Sequence, residues 1–289
     1  MPIAAGLLRG IRTLGWFLVA CAGLVLAWEG YRWLGGATDG RIPLTEIPLP
    51  VATNAVPHTL DIIGELFAPL QRGSDRTVLA FLIDSALFTF RSALVGFVIG
   101  GMVGFLLGVV FAQFAPLERG LMPYVIASQT VPLLAISPMV VIWSARLGLP
   151  VWAAVSIIAA YLTFFPVTIN TLRGLRSPQA TALELMRSYA SSRWQTLWKV
   201  QVPSALPYVF TALKISATAS VVGAIVGELP SSLNQGLGRA LLSFSYYFAT
   251  GPERVYGAVL VAALAGTTFV GLVALAERLT LSPTRRMAA

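Results

Sequence analysis

Charge is scarce in this 289-residue chain: Asp, Glu, Lys and Arg make up 11% of it, against about 25% in an ordinary soluble domain. Hydrophobic residues make up 56%, so too few polar side chains remain to cover a water-facing surface. A soluble protein is excluded and an integral membrane protein is indicated. Histidine and cysteine are scarcer still. The single histidine, His58, makes no metal or catalytic cluster and reads as a loop or interfacial residue. The single cysteine, Cys21, lies in an apolar run and leaves no disulfide framework or cysteine metal site. Lysine occurs only at Lys199 and Lys214, neither preceded by glycine, so there is no G-x-x-x-x-G-K-[ST] phosphate loop. Nucleophile motifs and H-E-x-x-H are absent as well. No catalytic residue, metal or cofactor is assigned, and the chain is expected not to be an enzyme. The net charge of +8 raises nucleic acid as a partner. The basic residues are scattered between apolar spans and form no stripe or tail, so no nucleic-acid partner is expected.

What is present is a series of long apolar runs. A bilayer core of about 30 Å needs roughly 20 apolar residues of helix. The segments 14–34, 90–112, 121–144, 149–171, 204–227 and 255–276 approach that length. The predicted fold class is therefore all-α: a polytopic membrane protein with about six transmembrane helices. The first segment follows Arg9 and Arg12, as a signal peptide would, but its apolar run continues to Trp33 and Leu34. That suits an uncleaved anchor helix, residues 1–34. Residues 35–83 read as an extracytoplasmic loop, in which Leu60, Ile63, Leu66, Phe67 and Leu70 have the spacing of a short interfacial helix or an ordinary packed loop helix.

With a cytoplasmic N-terminus and six crossings, one side holds eleven cations against three acids, Glu118, Glu184 and Glu277. Its cations are Arg9, Arg12, Arg119, Arg173, Arg176, Arg187, Arg193, Lys199, Arg278, Arg285 and Arg286. The other side holds seven cations (Arg32, Arg41, Arg72, Arg76, Arg146, Arg239 and Arg254) against eight acids that include Asp39 and Glu46. The positive-inside rule makes the first side cytoplasmic, with both termini on it and residues 281–289 as a tail.

Gly96, Gly100, Gly104 and Gly108 line one face of the second span, and Ala219, Gly223 and Gly227 repeat the pattern in the fifth. Small residues at this spacing let helices approach closely in lipid, chiefly within one subunit. Pro132, Pro138 and Pro166 remove backbone hydrogen bonds inside spans. Gln129, Thr130, Ser137 and Asn170, with Glu228, are candidates to line a path, or else to act as interhelical hydrogen-bond glue. Lys214 and Arg91 are expected to snorkel toward opposite interfaces.

One polar stretch, residues 182–207, interrupts the oil: ALELMRSYASSRWQTLWKVQVPSALP. Ser177-Pro178 reads as a helix start, with Ala182, Leu185, Met186 and Tyr189 at helical spacing. Ser192 opens a capping box with Gln195. Trp194, Leu197 and Trp198 share a face, and Val202-Pro203 is expected to end the second helix. Such a pair could lie on lipid headgroups or insert an apolar ridge into a partner's groove.

The stretch resembles the EAA loop of binding-protein-dependent ABC importer permeases, whose pattern is E-A-A, three residues, G, nine residues, then I-x-L-P. Glu184, Leu185 and Met186 stand at E-A-A, Ala190 stands at the glycine, and Val200-Gln201-Val202-Pro203 closes the pattern at the same spacing. Further stretches, VPLLAISPMVVIW (131–143), FFPVTINTLRG (164–174), VGELP (226–230) and GLGRAL (236–241), are similar to the nitrate/sulfonate/taurine branch. The resemblance covers roughly residues 80–280, departs at Ser144-Ala145, and implies a MetI-like transmembrane domain over 84–280. It implies a homodimer in a bacterial inner membrane. It also implies an extracytoplasmic substrate-binding protein docking near 145–150 and 228–254, and a cytoplasmic P-loop ATPase that holds ATP-Mg. On this resemblance Glu184, Leu185, Met186, Ala190, Arg193, Trp194, Val200 and Pro203 form the ATPase-coupling loop. The imported solute would be nitrate, a sulfonate, taurine, or a vitamin-like molecule such as riboflavin or a pyrimidine precursor. The alternatives are a secondary transporter or channel independent of ATP, and, more remotely, a membrane enzyme.

Overall fold

The computed structural model describes residues 2–37, 55–71, 73–231 and 235–281. Asp39, Arg41, Glu46, Arg72, Arg285, Arg286 and the tail from 282 lie outside the described residues, as do the side chains of Arg9 and Arg12. The chain divides into two units, Met1–Ala80 with Ser243–Gly257, and Phe81–Leu242 with Ala258–Ala289.

In the first unit, helix α1 (Pro2–Ala37) covers the segment expected as an anchor, and α2 (Thr59–Phe67) forms where a short helix is expected in the loop. Trp28 of α1 donates from Nε1 to the Pro57 carbonyl at 3.0 Å and meets Tyr256 edge-to-face, with centroids 5.2 Å apart.

Four helical stretches among the described residues are long and apolar enough to cross a membrane: Val78–Gln113, Val151–Leu175, Arg193–Glu228 and Pro252–Thr280. They comprise α3 (Val78–Gln113), α6 (Val151–Leu175), α9 (Val202–Glu228) with its N-terminal extension, and α11 (Pro252–Thr280). The 121–144 run, expected as one span, is instead a pair, α4 (Ala115–Ser128) and α5 (Leu133–Arg146), bent by 100°. Pro132 is the cause: it has no N–H to donate and pushes Val131 out of the helical region. Pro138, by contrast, sits within α5.

The pair runs from one end of α6 to the other. Arg176, just beyond the C-terminus of α6, holds Glu118 in the first turn of α4 through a two-pronged ion pair, with Nη1 donating to Oε1 at 2.8 Å. The start of α4 and the end of α6 therefore lie together, so α4 and α5 together run back along the length of α6. The Tyr161 hydroxyl, near the middle of α6, donates to the Ser128 carbonyl at the end of α4. The break between α4 and α5 thus lies beside the middle of α6.

The second unit is built around α6. A Cβ on Gly96 would stand 2.5 Å from the Ser156 carbonyl, and one on Gly108 2.6 Å from Thr171 Cβ. The glycine stripe of α3 is thus pressed along α6, as expected for packing within one subunit. On another side of α6, Gly223 of α9 faces Ala159. A cluster of Ala93, Val155, Val221, Ala224 and Phe269 closes this core, with Phe90 and Phe97 stacked on Phe269 at 4.9 and 5.0 Å. The two cations within apolar helices both have partners. Lys214 pairs with Glu277 at 2.9 Å, and Arg91 lies over the Trp152 ring, 5.4 Å from its centroid.

Candidate functional site

The polar stretch folds into α7 (Ala180–Ser188) and the single turn α8 (Arg193–Thr196). Helix α7 starts later than Ser177-Pro178 suggested. Gln179 occupies the cap without a side-chain bond, while the Ser177 hydroxyl turns back to the Gly174 carbonyl at 2.8 Å. The end of α7 is better defined. The Ala190 N–H donates to the Arg187 carbonyl at 2.9 Å and the Ser191 N–H to the Met186 carbonyl at 3.0 Å. These are the two bonds of a Schellman motif. Ala190 is its left-handed residue, with φ of 50°, the one non-glycine residue at positive φ among those described. The glycine of the pattern that this loop resembles would suit this left-handed conformation. Only glycine adopts it without strain from a Cβ.

Two residues later the capping box is present as expected. The Gln195 N–H donates to Ser192 Oγ at 3.2 Å, and the Ser192 N–H to Gln195 Oε1 at 2.8 Å. The second helix does not end at Pro203. It widens into a π-turn over Leu197–Gln201 and runs on as α9 to Glu228. Proline is accommodated here because Pro203 sits in the first turn of α9, directly after the π-turn has displaced the i→i−4 ladder. The second helix of the pair is therefore continuous with the long apolar stretch Arg193–Glu228.

The exposed side chains define a face. Leu185, Tyr189, Trp194 and Trp198 are all more than half exposed, with Glu184, Arg187 and Arg193 exposed among them. Leu197, expected beside the tryptophans, is instead buried with Leu175, Ala205 and Val209. Ala182 and Met186 turn partly inward, and Val200 and Pro203 are half-buried at the junction with α9. Four large apolar groups exposed beside charges suit a protein- or membrane-contact surface. Alongside runs a cleft of about 340 Å³ lined by Gln113, Leu183, Arg187, Ser191, Arg193, Thr196 and Gln201. Gln113 Nε2 donates to Gln201 Oε1 at 3.3 Å, tying the end of α3 to the π-turn.

The five path candidates are not brought into one cluster. Gln129 and Thr130 occupy the break between α4 and α5 and are exposed, with the Thr130 hydroxyl bonded to the Ala127 carbonyl at 2.8 Å. Ser137 is buried and reaches the Val226 carbonyl at 3.4 Å. Asn170 Nδ2 donates to the Pro166 carbonyl at 2.8 Å. Glu228 is fully buried. It accepts from Thr89 Oγ1 at 2.8 Å and from the Gly238 N–H at 2.8 Å, while Thr89 in turn accepts the Leu237 N–H at 2.8 Å. Thr89 and the start of α10 (Leu237–Ser245) were missed from sequence. The glycines at 236 and 238 were the available signal, since a Cβ at either would press on Glu228.

Residues 78–281 match the family described as binding-protein-dependent transport system inner membrane component. A formylaminopyrimidine transport permease protein of Halalkalibacterium halodurans is 35% identical over half of this chain and 56% of its own length, so the chain spans only about half of that relative. A riboflavin transport system permease protein of Chloroflexus aurantiacus is 30% identical over 86% of this chain and 84% of its own. A putative aliphatic sulfonates transport permease protein of Bacillus subtilis is 28% identical over 93% and 88%. Among solved structures, a chain of an amino acid ABC transporter crystallised with histidines covers 69% of this chain and 94% of its own. It has a TM-score of 0.56 and 18% identity, a likeness of fold.

Proposed function

Since the chain belongs to the family of binding-protein-dependent transport system inner membrane components, as a permease subunit of an ABC importer, we propose how its parts serve import. The face of α7 and α8 docks on a cytoplasmic P-loop ATPase subunit, with Glu184 making the charged contact and Leu185, Tyr189, Trp194 and Trp198 the apolar one. The observation that carries this reading is that exposed ridge, held rigid by a Schellman motif and a capping box. ATP-Mg binds in the partner, which performs all hydrolysis.

Closure of the partner's nucleotide sites shifts the docked helices. Because α8 runs through the π-turn into α9, the shift passes to a span without an intervening loop. Two copies of the chain enclose the path. Gln129 and Thr130 line it at mid-depth, where non-helical backbone suits a water-filled cavity. Ser137 and Glu228 join helices that border it, while Asn170 bonds within α6. A substrate-binding protein delivers the solute at the opposite face, near residues 145–150 and 228–254. The chain lies in a bacterial inner membrane with both termini cytoplasmic, a reading that the excess of cations on one side supports. The solute class is a small organic anion or a vitamin-like heterocycle, in keeping with the names of the relatives.

The test is uptake into proteoliposomes holding the permease and its ATPase, with binding protein supplied outside. Accumulation should require internal ATP and vanish in Glu184→Lys. Uptake that survives ATP depletion and collapses with the ion gradient would overturn the reading.

A further inference from the structure

Helix α2 is fastened at both ends by charges borne on two apolar helices, and the charges match its dipole. At its N-terminus Glu29 of α1 accepts the Thr59 N–H at 2.9 Å and the Thr59 hydroxyl at 2.8 Å on Oε1, and meets His58 Nδ1 at 2.9 Å on Oε2. At its C-terminus Arg254, in the first turn of α11, donates from Nε to Glu65 at 2.7 Å and from Nη1 to the Leu70 carbonyl at 3.1 Å. A carboxylate at the start and a guanidinium at the end both stabilise a helix. Leu66 is buried against Gly257.

With both ends and one side fixed, the remaining faces of α2 have set directions. Leu60, Ile63 and Phe67 fall on one face by helical spacing and are half or more exposed, at 78%, 50% and 64%. Asp61, exposed, lies about 100° around the helix from Leu60. The helix thus has one packed side, one exposed apolar side and one polar side. Its attachment point, Glu29, follows the exposed apolar run Leu24, Val25 and Leu26 of α1 and precedes exposed Trp33 and Leu34. Tryptophan at the end of an apolar run marks the membrane–water boundary.

We propose that α2 is a rigid interfacial strut. Its Leu60–Ile63–Phe67 face is immersed at the headgroup–acyl boundary of the bilayer, continuous with the lipid-facing surface of α1, and its Asp61 side faces water. Apolar area of this kind binds the interface by burial alone. The clamps at Glu29 and Arg254 hold the helix in that plane. The inference rests on α1 being a membrane span and is independent of which solute is carried.

The test is spin-label accessibility on the full chain in liposomes, in a Cys21→Ser background with single labels at Ile63→Cys, Phe67→Cys, Asp61→Cys and Val25→Cys. Oxygen should relax labels at 25, 63 and 67 more than a water-soluble nickel complex does, with the order reversed at 61. Preference for the nickel complex at 63 and 67 would place that face in water and overturn the proposal. Protection from both relaxants would mean a protein covers it, and would overturn it too. Nickel preference at 25 would show that α1 is not in lipid, which locates the failure in the premise. If Phe67→Cys loses the parent's size-exclusion profile, Leu60→Cys replaces it. In the folded Asp61→Cys protein, adding Glu29→Ala should release the helix and sharpen the spectrum, whereas an unchanged spectrum would remove the clamp from the account.

Discussion

Thr89 and Glu228 lie 139 residues apart in sequence and 2.8 Å apart in the fold, between Thr89 Oγ1 and Glu228 Oε1. The pair joins α3 to the end of α9, and through the N–H groups of Leu237 and Gly238 it also takes in the start of α10. Glu228→Ala would leave the Gly238 N–H without its acceptor in a buried site, while the Thr89 hydroxyl keeps the Ser85 carbonyl at 3.1 Å. An orphaned buried group costs about 1–3 kcal/mol, so thermal unfolding in detergent should move down by several degrees. Glu228→Gln keeps an acceptor oxygen and should recover most of the loss. Equal loss in both variants would mean that the charge, and not the hydrogen bonds, matters.

The strained Ala190 makes a prediction of opposite sign. Replacing it with glycine removes a left-handed Cβ penalty of about 1 kcal/mol, less the entropy that glycine returns to the unfolded chain. Ala190→Gly should leave stability equal or slightly higher, and Ala190→Val should lower it by more than 1 kcal/mol, on the order expected for a β-branched residue at positive φ. Unfolding midpoints of the three proteins decide this.

Lys214 and Glu277 pair at 2.9 Å, both partly buried. Removing either leaves a charge without its partner in an apolar setting, so the single alanine variants should each be less stable than the double variant. A double-mutant cycle on unfolding midpoints should give a coupling on the order of 1 kcal/mol, and zero coupling would reduce the contact to a chance approach.

The glycine stripe offers a packing test. A Cβ at Gly100 would stand 2.7 Å from Thr163 Cβ, so Gly100→Val should push α3 from α6 and cost about 1–3 kcal/mol. Reduced accumulation in membranes and a lowered midpoint should follow. Gly120, with nothing near its Cβ position, should tolerate alanine.

Much of this was legible from local pattern. Apolar runs located the four long apolar helices, Ser192 and Gln195 announced a capping box across four residues, and glycines four apart announced a close helix pair. What was not legible depends on partners distant in sequence or on backbone angle. The clasp of Glu228 by Thr89 has no local signature beyond the glycines at 236 and 238. Pro203 looked like a stop because a proline rule assumes an unbroken i→i−4 ladder, and the π-turn before it changes that ladder. Trp194, Leu197 and Trp198 do share a helical face, but only the contact with Leu175 and Ala205 decides that Leu197 is the buried one. The 100° bend of α4 against α5 followed from Pro132 in kind, not in size.

The orientation has its own check. A cysteine replacing Arg193, in the Cys21→Ser background, should react with a membrane-impermeant maleimide in inverted vesicles and not in right-side-out vesicles. Reaction from the opposite side would invert the topology.

The central claim is that α7 and α8 are the docking face for an ATPase, and the most direct measurement is co-isolation. The tagged chain would be drawn from native membranes in mild detergent beside its Glu184→Lys and Trp194→Asp variants, and the co-purifying proteins identified. The account predicts a P-loop ATPase in near-stoichiometric amount with the parent, reduced at least about tenfold by each substitution, a loss of about 1.4 kcal/mol or more. Equal ATPase recovery with all three, or none with the parent while solute uptake continues without ATP, would contradict it.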